Sequence, residues 1–161
     1  MKLPAIAFAA AVMSCVALSS AAVAAETVHK VKESSFADPG DIAAYKKCIA
    51  SGKSESECLK VGDNGVGKWG DDTTDESQPM CALPPEDWEA RWGKGDGARG
   101  KKISVTYKGK TIICELRDTM PRKAHITNGA GIDLSPGTAK AFNKKPPFML
   151  SGVTWQWVEG Q

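Results

Sequence analysis

The sequence has little excess charge of either sign and no long apolar run after its first 25 residues. Its 21 basic and 19 acidic residues give a formal net charge of +2, so no electrostatic reason exists to expect nucleic acid or an anionic membrane as a partner. After Ala25 no apolar stretch approaches the roughly 20 residues that span a bilayer. With two histidines and no Cys-x-x-Cys spacing, no metal site and no cofactor are expected.

Residues 1–25 are predicted to be a secretory signal peptide. Lys2 is followed by an apolar run from Leu3 to Leu18 and then by small residues up to Ala25, which is the usual order of such signals. We therefore expect a periplasmic or secreted monomer of about 136 residues, the length of one domain. Cys15 weakly resembles the acylated cysteine of a lipidation box. Removal of the signal would leave four of the five cysteines.

Residues 26–64 are predicted to form a polar lead-in, up to Gly40, and then a helical hairpin. Asp41 is a candidate N-cap for a helix over 42–50, and Ser54 begins a capping-box pattern for a second short helix. Antiparallel packing of two such helices would bring Cys48 beside Cys58. We expect these two cysteines to form a disulfide that staples a unit too small for its own core.

Residues 65–161 have the patterns of a β domain. Alternating apolar residues predict strands over 101–107 and 111–117, with Gly109 in the tight turn between them. A last strand is predicted over 153–158, and a short helix opens at Ser135. Short strands punctuated by glycine and proline favour a compact barrel over a sandwich or a doubly wound sheet.

Three features of this region resemble a known fold. A strand ends in Asp118 and is closely followed by Pro121, and an Asp-Leu-Ser turn begins at Asp133. The final strand, 153–158, has a Val-x-Trp-x-Val form. Together they resemble the double-psi β-barrel superfamily, most closely the first domain of bacterial expansins and the related rare-lipoprotein-A-like and family-45 endoglucanase barrels. The resemblance covers about residues 65–158 and implies a mainly β, six-stranded double-psi β-barrel with a short helix, preceded by the hairpin.

The resemblance implies that Asp118 and Asp133 are the acids of a polysaccharide cleft. Asp133 matches the acid of the endoglucanases and expansins, and Asp118 matches the second cleft aspartate of the expansins and rare-lipoprotein-A proteins. Glycosidic cleavage needs one carboxylic acid to protonate the leaving oxygen and, in hydrolases, a second carboxylate. Without the resemblance, Asp133 is better explained as an acid that satisfies backbone NH groups at a helix start.

Further groups are predicted to bind substrate, each with a plainer alternative. Trp69 stands where the family has an aromatic residue beside the groove, and His125 lies in the loop between the two acids, where solvent exposure is the alternative. Asp71 and Asp72 are candidate bases or members of a solvated acidic loop. The predicted substrate-binding residues are Trp69, Asp71, Asp72, Thr119 and His125.

The remaining cysteines and tryptophans are given structural roles. Cys81 and Cys114 are left to pair with each other, and both lie on or beside predicted strands. Trp155 and Trp157 share one strand face, which favours a place in the core over a glycan-stacking platform.

These features predict an exported protein that binds and remodels a cell-wall polysaccharide, either peptidoglycan or a cellulose-like polymer. Efficient hydrolysis is not expected, because the first strand offers no clear base and the 80–83 strand has no histidine. One alternative is a lytic transglycosylase or glycoside hydrolase that uses Asp133 or Asp118. A second alternative is a protein-binding or inhibitor module on the same barrel, with the helical hairpin as its contact surface.

Overall fold

The computed structural model describes residues 26–161, so the predicted signal peptide and Cys15 lie outside the described residues. Six strands close into a barrel. The strands are β1 (His29–Ser35), β2 (Met80–Leu83), β3 (Lys102–Tyr107), β4 (Lys110–Thr119), β5 (Ala130–Leu134) and β6 (Met149–Trp157). The helices are α1 (Pro39–Ala50), α2 (Glu55–Cys58), α3 (Pro85–Trp92) and α4 (Pro136–Ala141), with two 3₁₀ turns at Asp96–Ala98 and Lys123–His125.

The strands follow the order β1-β5-β2-β4-β3-β6 around the barrel. β1 pairs with β5, and β2 with β4, in parallel, while the other neighbours are antiparallel. The predicted fold class is confirmed, since the described chain is mainly β and forms a closed six-stranded barrel with a few helices and two disulfides. β3, β4 and β6 lie where alternating residues predicted strands.

The expectation of a flexible lead-in over 26–40 is wrong for its central part. Residues His29–Ser35 form β1, which pairs with β5 on one side and β6 on the other. Val31 is the one aliphatic residue in this strand, whose sequence is HKVKESS, so no apolar alternation marked it. The barrel therefore begins before the hairpin, and the hairpin connects β1 to the segment that leads into β2.

The hairpin depends on its caps and its disulfide more than on a core. Asp38, one turn earlier than the predicted cap, accepts hydrogen bonds from the NH groups of Gly40 and Asp41 at 2.8 and 3.2 Å. α1 has no buried residue, and α2 shows the predicted capping box at Ser54 and Glu57. Cys48 and Cys58 are joined, with their Cα atoms 5.4 Å apart.

Two apolar clusters fill the barrel and one of its ends. The larger contains Trp88, Trp155 and Trp157 among buried residues from β2 to β6, with Val31 of β1 packed against them, so Trp155 and Trp157 are core residues. The smaller includes Phe36, Ala82 and Met120. The disulfide between Cys81 and Cys114 is fully buried and ties β2 to β4. No helix within residues 26–161 has the length and apolar character to cross a membrane.

Candidate functional site

A groove of about 360 Å³ lies at one end of the barrel, between the ends of β4 and β5 and the segment that follows α2. We call it the strand-end groove and define it by Leu59, Asp63, Val66, Lys68, Ala82, Asp118, Thr119 and Asp133, with Phe36 and Met120 beneath. It brings together three of the predicted site residues, Asp118, Thr119 and Asp133. The groove is therefore the candidate functional site.

The sheet register places the two aspartates on either side of a small residue. β2 lies between β5 and β4, and Ala82 of β2 is the register partner of both Asp133 and Asp118. A register shift between Cys81 and Ala82 brings Asp118 opposite Ala82. Such bulges re-aim side chains. The small side chain of Ala82 therefore lies in the groove lining between the two aspartates.

Asp118 is the penultimate residue of β4 and holds two backbone segments in place. Its Oδ1 accepts hydrogen bonds from the NH groups of Lys68 at 2.8 Å and Thr119 at 2.7 Å. The segment before Lys68 approaches closely because Gly67 packs against the Arg117 carbonyl, where a Cβ atom would clash. Burial raises the pKa of Asp118 to about 6, although these two NH groups oppose the shift.

Asp133 lies on β5 beside Ser34 of β1, its register partner. The Ser34 hydroxyl donates a hydrogen bond to Asp133 Oδ1. Burial raises the pKa of Asp133 to about 6, and the nearby Asp118, Asp41 and Asp63 carboxylates add to the increase, while Ser34 opposes it. Both aspartates are therefore ionised at neutral pH and titrate in mildly acidic solution.

The groove has apolar walls as well as carboxylates. Leu59 and Val66 line it and are 49% and 52% exposed. Val61, in the same segment, is 60% exposed. Single exposed aliphatic residues are common on protein surfaces, but a contiguous group at a groove marks a candidate contact surface. Sequence reasoning missed this group because Leu59 and Val61 were assigned to the second helix of the hairpin and Val66 to the β domain.

Lys68 is the one cation that lines the groove. Its ammonium group lies 5.7 Å from the Trp88 ring centroid and 6.0 Å from that of Trp69, which are distances of a cation–π contact. Asp63, also in the lining, accepts a hydrogen bond from the NH of Gly65 at 2.6 Å. With three aspartates against one lysine, the groove has a net negative charge at neutral pH.

The other predicted site residues do not line this groove. Trp69 packs edge-on against Trp88, with ring centroids 5.7 Å apart, and its Nε1 donates to the Gly95 carbonyl at 3.4 Å. Asp71 is paired with Arg99 and Arg117, and hydrogen bonding from Arg99 lowers its pKa. These contacts give Trp69 and Asp71 structural partners outside the groove.

Asp72 and His125 also lie elsewhere. Asp72 Oδ1 accepts from the NH of Thr74 at 2.9 Å and from its hydroxyl at 2.6 Å, and the residue lines a neighbouring cavity of about 710 Å³. His125 is exposed in the 3₁₀ turn between β4 and β5.

Within residues 26–161 no group of three or more His, Cys, Asp or Glu side chains is placed to hold a metal ion.

Glu33 is a buried acid that no pattern in the sequence marks. It lies on β1 with no exposed surface, and neither of its carboxyl oxygens has a hydrogen-bond partner among the described residues. Burial raises its pKa to about 9, and Asp133 adds to the increase. At neutral pH Glu33 is therefore protonated, which spares the barrel an unpaired buried charge.

The chain is similar in sequence to a curated protein and in structure to a solved protein. No family model matches the chain. A papain inhibitor of Streptomyces mobaraensis is 32% identical over 102 residues, which make up 60% of this chain and 65% of that protein. The chain thus aligns with somewhat less than two thirds of this curated relative. The solved structure of Streptomyces papain inhibitor (SPI) covers 83% of this chain and 96% of its own, at 22% identity and a TM-score of 0.48.

These comparisons correct the predicted function and partner. The sequence relative is named for a protein that it inhibits and not for a polysaccharide. The expectation that the chain binds and remodels a cell-wall polysaccharide is therefore wrong, and the inhibitor alternative is better supported. The expansin-like and rare-lipoprotein-A-like descriptions of its function are not supported either.

Proposed function

We propose that this protein is an inhibitor of papain-like cysteine proteases. The observation that carries the proposal is the 32% identity over 102 residues to a papain inhibitor. Papain-like enzymes use a cysteine thiolate paired with a histidine. An inhibitor of this class would bind the protease as a folded protein, and the predicted export signal agrees with an extracytoplasmic target.

The described fold suits such a role because it is pre-organised. A closed barrel has no free sheet edge, and two disulfides tie β2 to β4 and α1 to α2. Inhibitors that bind with little change of backbone shape lose less entropy on association. The disulfides also fit an oxidising compartment, which supports a periplasmic or secreted location.

We also infer that the barrel belongs to the double-psi superfamily. Two observations support this inference. The barrel is closed and six-stranded, with two parallel pairs, β1/β5 and β2/β4. The sequence has Asp118 closely followed by Pro121 after a strand, and an Asp-Leu-Ser turn that begins at Asp133. Function is not inherited with the barrel, because one fold hosts many unrelated activities. The two aspartates are therefore candidate binding groups.

The proposal is tested by titrating residues 26–161, with both disulfides formed, into active papain and measuring residual peptide hydrolysis. Papain is activated with a thiol, which is then removed so that it cannot reduce the inhibitor. We expect concentration-dependent inhibition of papain and none of trypsin, a serine protease. The reduced and alkylated chain is the control for a folded inhibitor. Full papain activity at micromolar concentrations of the folded chain would contradict the proposal.

A further inference from the structure

The strand-end groove combines two kinds of surface that few partner groups can satisfy together. Its walls are aliphatic at Leu59 and Val66, and carboxylates flank Ala82 at its floor. Its volume of about 360 Å³ lies at the small end of the roughly 300–1,000 Å³ found for ligand sites. A group that fits such a space has an apolar stem and a cationic head.

Each carboxylate at the floor has one oxygen already in use and one available. Oδ1 of Asp118 accepts from Lys68 and Thr119, and Oδ1 of Asp133 accepts from Ser34. Within the described residues, the hydrogen bonds of both aspartates are made through Oδ1 and none through Oδ2. Asp133 is half-buried and lines the groove, so its remaining oxygen is open to a donor that enters there.

The charge of the groove selects a cation as that donor. Lys68 is directed at the rings of Trp69 and Trp88 and hydrogen bonds neither carboxylate through its ammonium group in the described structure. A guanidinium or ammonium group can donate several hydrogen bonds to carboxylate oxygens. A partner side chain with this chemistry would supply the missing donors without leaving its own charge unpaired.

The exposed aliphatic residues mark the same place as a contact surface. Seven large apolar residues of the described chain are exposed, and three of them, Leu59, Val61 and Val66, lie within one short segment at the groove. Arginine and lysine bury their methylene stems along apolar surfaces while their charged heads reach polar groups. Arginine is also among the residues that contribute most to protein interfaces.

We propose that the strand-end groove binds an arginine or lysine side chain of the protease that this chain inhibits. The stem lies between Leu59 and Val66, and the charged head bridges Asp118 and Asp133. This inference rests on the proposed function, because it names the contact by which the inhibitor holds its target. In this proposal Asp118 and Asp133, predicted from the sequence as the acids of a polysaccharide cleft, recognise a protein.

Inhibition of papain by charge-neutral variants tests the contact. Asp118→Asn and Asp133→Asn each keep an Oδ1 acceptor for the existing hydrogen bonds and remove only the charge. Each is expected to raise the inhibition constant at pH 7.5 by about tenfold, the effect of losing a hydrogen bond to a charged group. Asp96→Asn, an exposed aspartate outside the groove, is the matched control and should change it less than about twofold.

A matched pair of variants tests the contribution of the apolar walls to inhibition. Leu59→Ser should weaken inhibition, whereas Ile113→Ser, at a residue of similar exposure (47% against 49%) on β4, should not. Melting curves by circular dichroism check that every variant folds. Papain inhibition that is unchanged in Asp118→Asn and Asp133→Asn would overturn the groove assignment and leave the proposed function standing. Loss confined to Leu59→Ser would also overturn it, because the occupant would then be apolar.

A small probe tests the groove without any protease. N-acetyl-arginine methylamide and its neutral isostere, N-acetyl-citrulline methylamide, are titrated while the amide NMR signals of Lys68 and Thr119 are followed. We expect saturable shifts with the arginine compound only, and their loss in the Asp118→Asn, Asp133→Asn double variant. Equal shifts with both compounds, or none, would overturn the inference. Arginine-specific shifts in a chain that leaves papain fully active would support the groove chemistry and count against the proposed function alone.

Discussion

At the scale of single residues, Glu33 shows how a buried acid sets the pH dependence of stability. Its pKa is about 9 in the fold and 4.5 without the fold's influence. Because the folded-state pKa is raised, the folded state holds the proton more tightly. The stability from this group is complete below pH 4.5 and is lost as the pH rises through about 9.

Replacing Glu33 by glutamine should remove this decrease in stability with rising pH. Between pH 7 and pH 9 the wild-type free energy of unfolding should fall by about 2 kcal/mol on account of this group, whereas Glu33→Gln should show little such slope. Urea unfolding at the two pH values, followed by circular dichroism, measures both. Glu159→Gln, at an exposed residue near the C-terminus, is the control and should keep the wild-type slope. An equal slope in Glu33→Gln would show that Glu33 does not titrate in this range.

At the scale of elements, the hairpin of α1 and α2 is the part most dependent on a covalent link. α1 buries no residue, and Cys58 is the one buried residue of α2. The Cys48–Cys58 bridge spans 10 residues, so its removal is expected to cost about 2 to 3 kcal/mol. The barrel strands, which pack around their own core, should be largely unaffected.

Amide hydrogen exchange of a Cys48→Ala, Cys58→Ala variant checks this expectation. Protection should fall across α1 and α2 and persist in β3, β4 and β6, because local opening follows local packing. The matched comparison is Cys81→Ala, Cys114→Ala, which removes a bridge inside the core and should lower protection in every strand. Uniform loss of protection after removal of the hairpin bridge would mean that the hairpin supports the barrel.

The elements also show why sequence reasoning found some of the fold and missed the rest. β3, β4 and β6 have one face in the core, and the resulting alternation is visible in the sequence. β1 was missed because it buries Glu33 and Ser34 in place of apolar residues. β5 has five residues, Ala-Gly-Ile-Asp-Leu, and was assigned to a turn. Short strands held by two neighbours need little apolar pattern of their own.

The candidate site was predicted in the same uneven way. Asp118 and Asp133 were found through the resemblance, and the structure places them together. Leu59 and Val66 were missed, since their position depends on how the segment after α2 folds over the barrel end. No local pattern records that arrangement. Ala82 gains its importance only from the register that places an aspartate on each side.

At the scale of the whole molecule, the barrel brings Asp118, Asp133 and Glu33 close together, so that stability and binding should both depend on pH. Strands β5, β2 and β4 hold Asp133, Ala82 and Asp118 in line, and β1 places Glu33 within the electrostatic influence of Asp133. The pKa values of Asp118 and Asp133 are raised to about 6 by burial. Their charges are therefore unfavourable for the fold but needed to bind the cationic partner proposed above.

Stability and inhibition should consequently change in opposite directions between pH 7.5 and pH 5. As the pH falls through about 6, Asp118 and Asp133 take up protons more readily in the folded than in the unfolded chain, whose aspartates titrate near 3.8, so the melting temperature should rise. Over the same range inhibition of papain should weaken, because a protonated groove no longer pairs with a cationic side chain. Below about pH 4 the melting temperature should fall again as Asp71, whose pKa is lowered by Arg99 and Arg117, loses its ion pairs.

The pH dependence of the inhibition constant separates this effect from the titration of papain itself. The ratio of the constants for wild type and the Asp118→Asn, Asp133→Asn double variant is compared at each pH, since the protease contributes equally to both. The inhibition constant of the double variant should exceed that of wild type by the largest factor at pH 7.5, and the two constants should be nearly equal at pH 5. Lys68, Asp63, Asp41 and Glu33 are not substituted in either protein. A ratio that stays constant from pH 7.5 to pH 5 would mean that the two carboxylates do not meet a charged group of the protease, even if the melting temperature changes as expected.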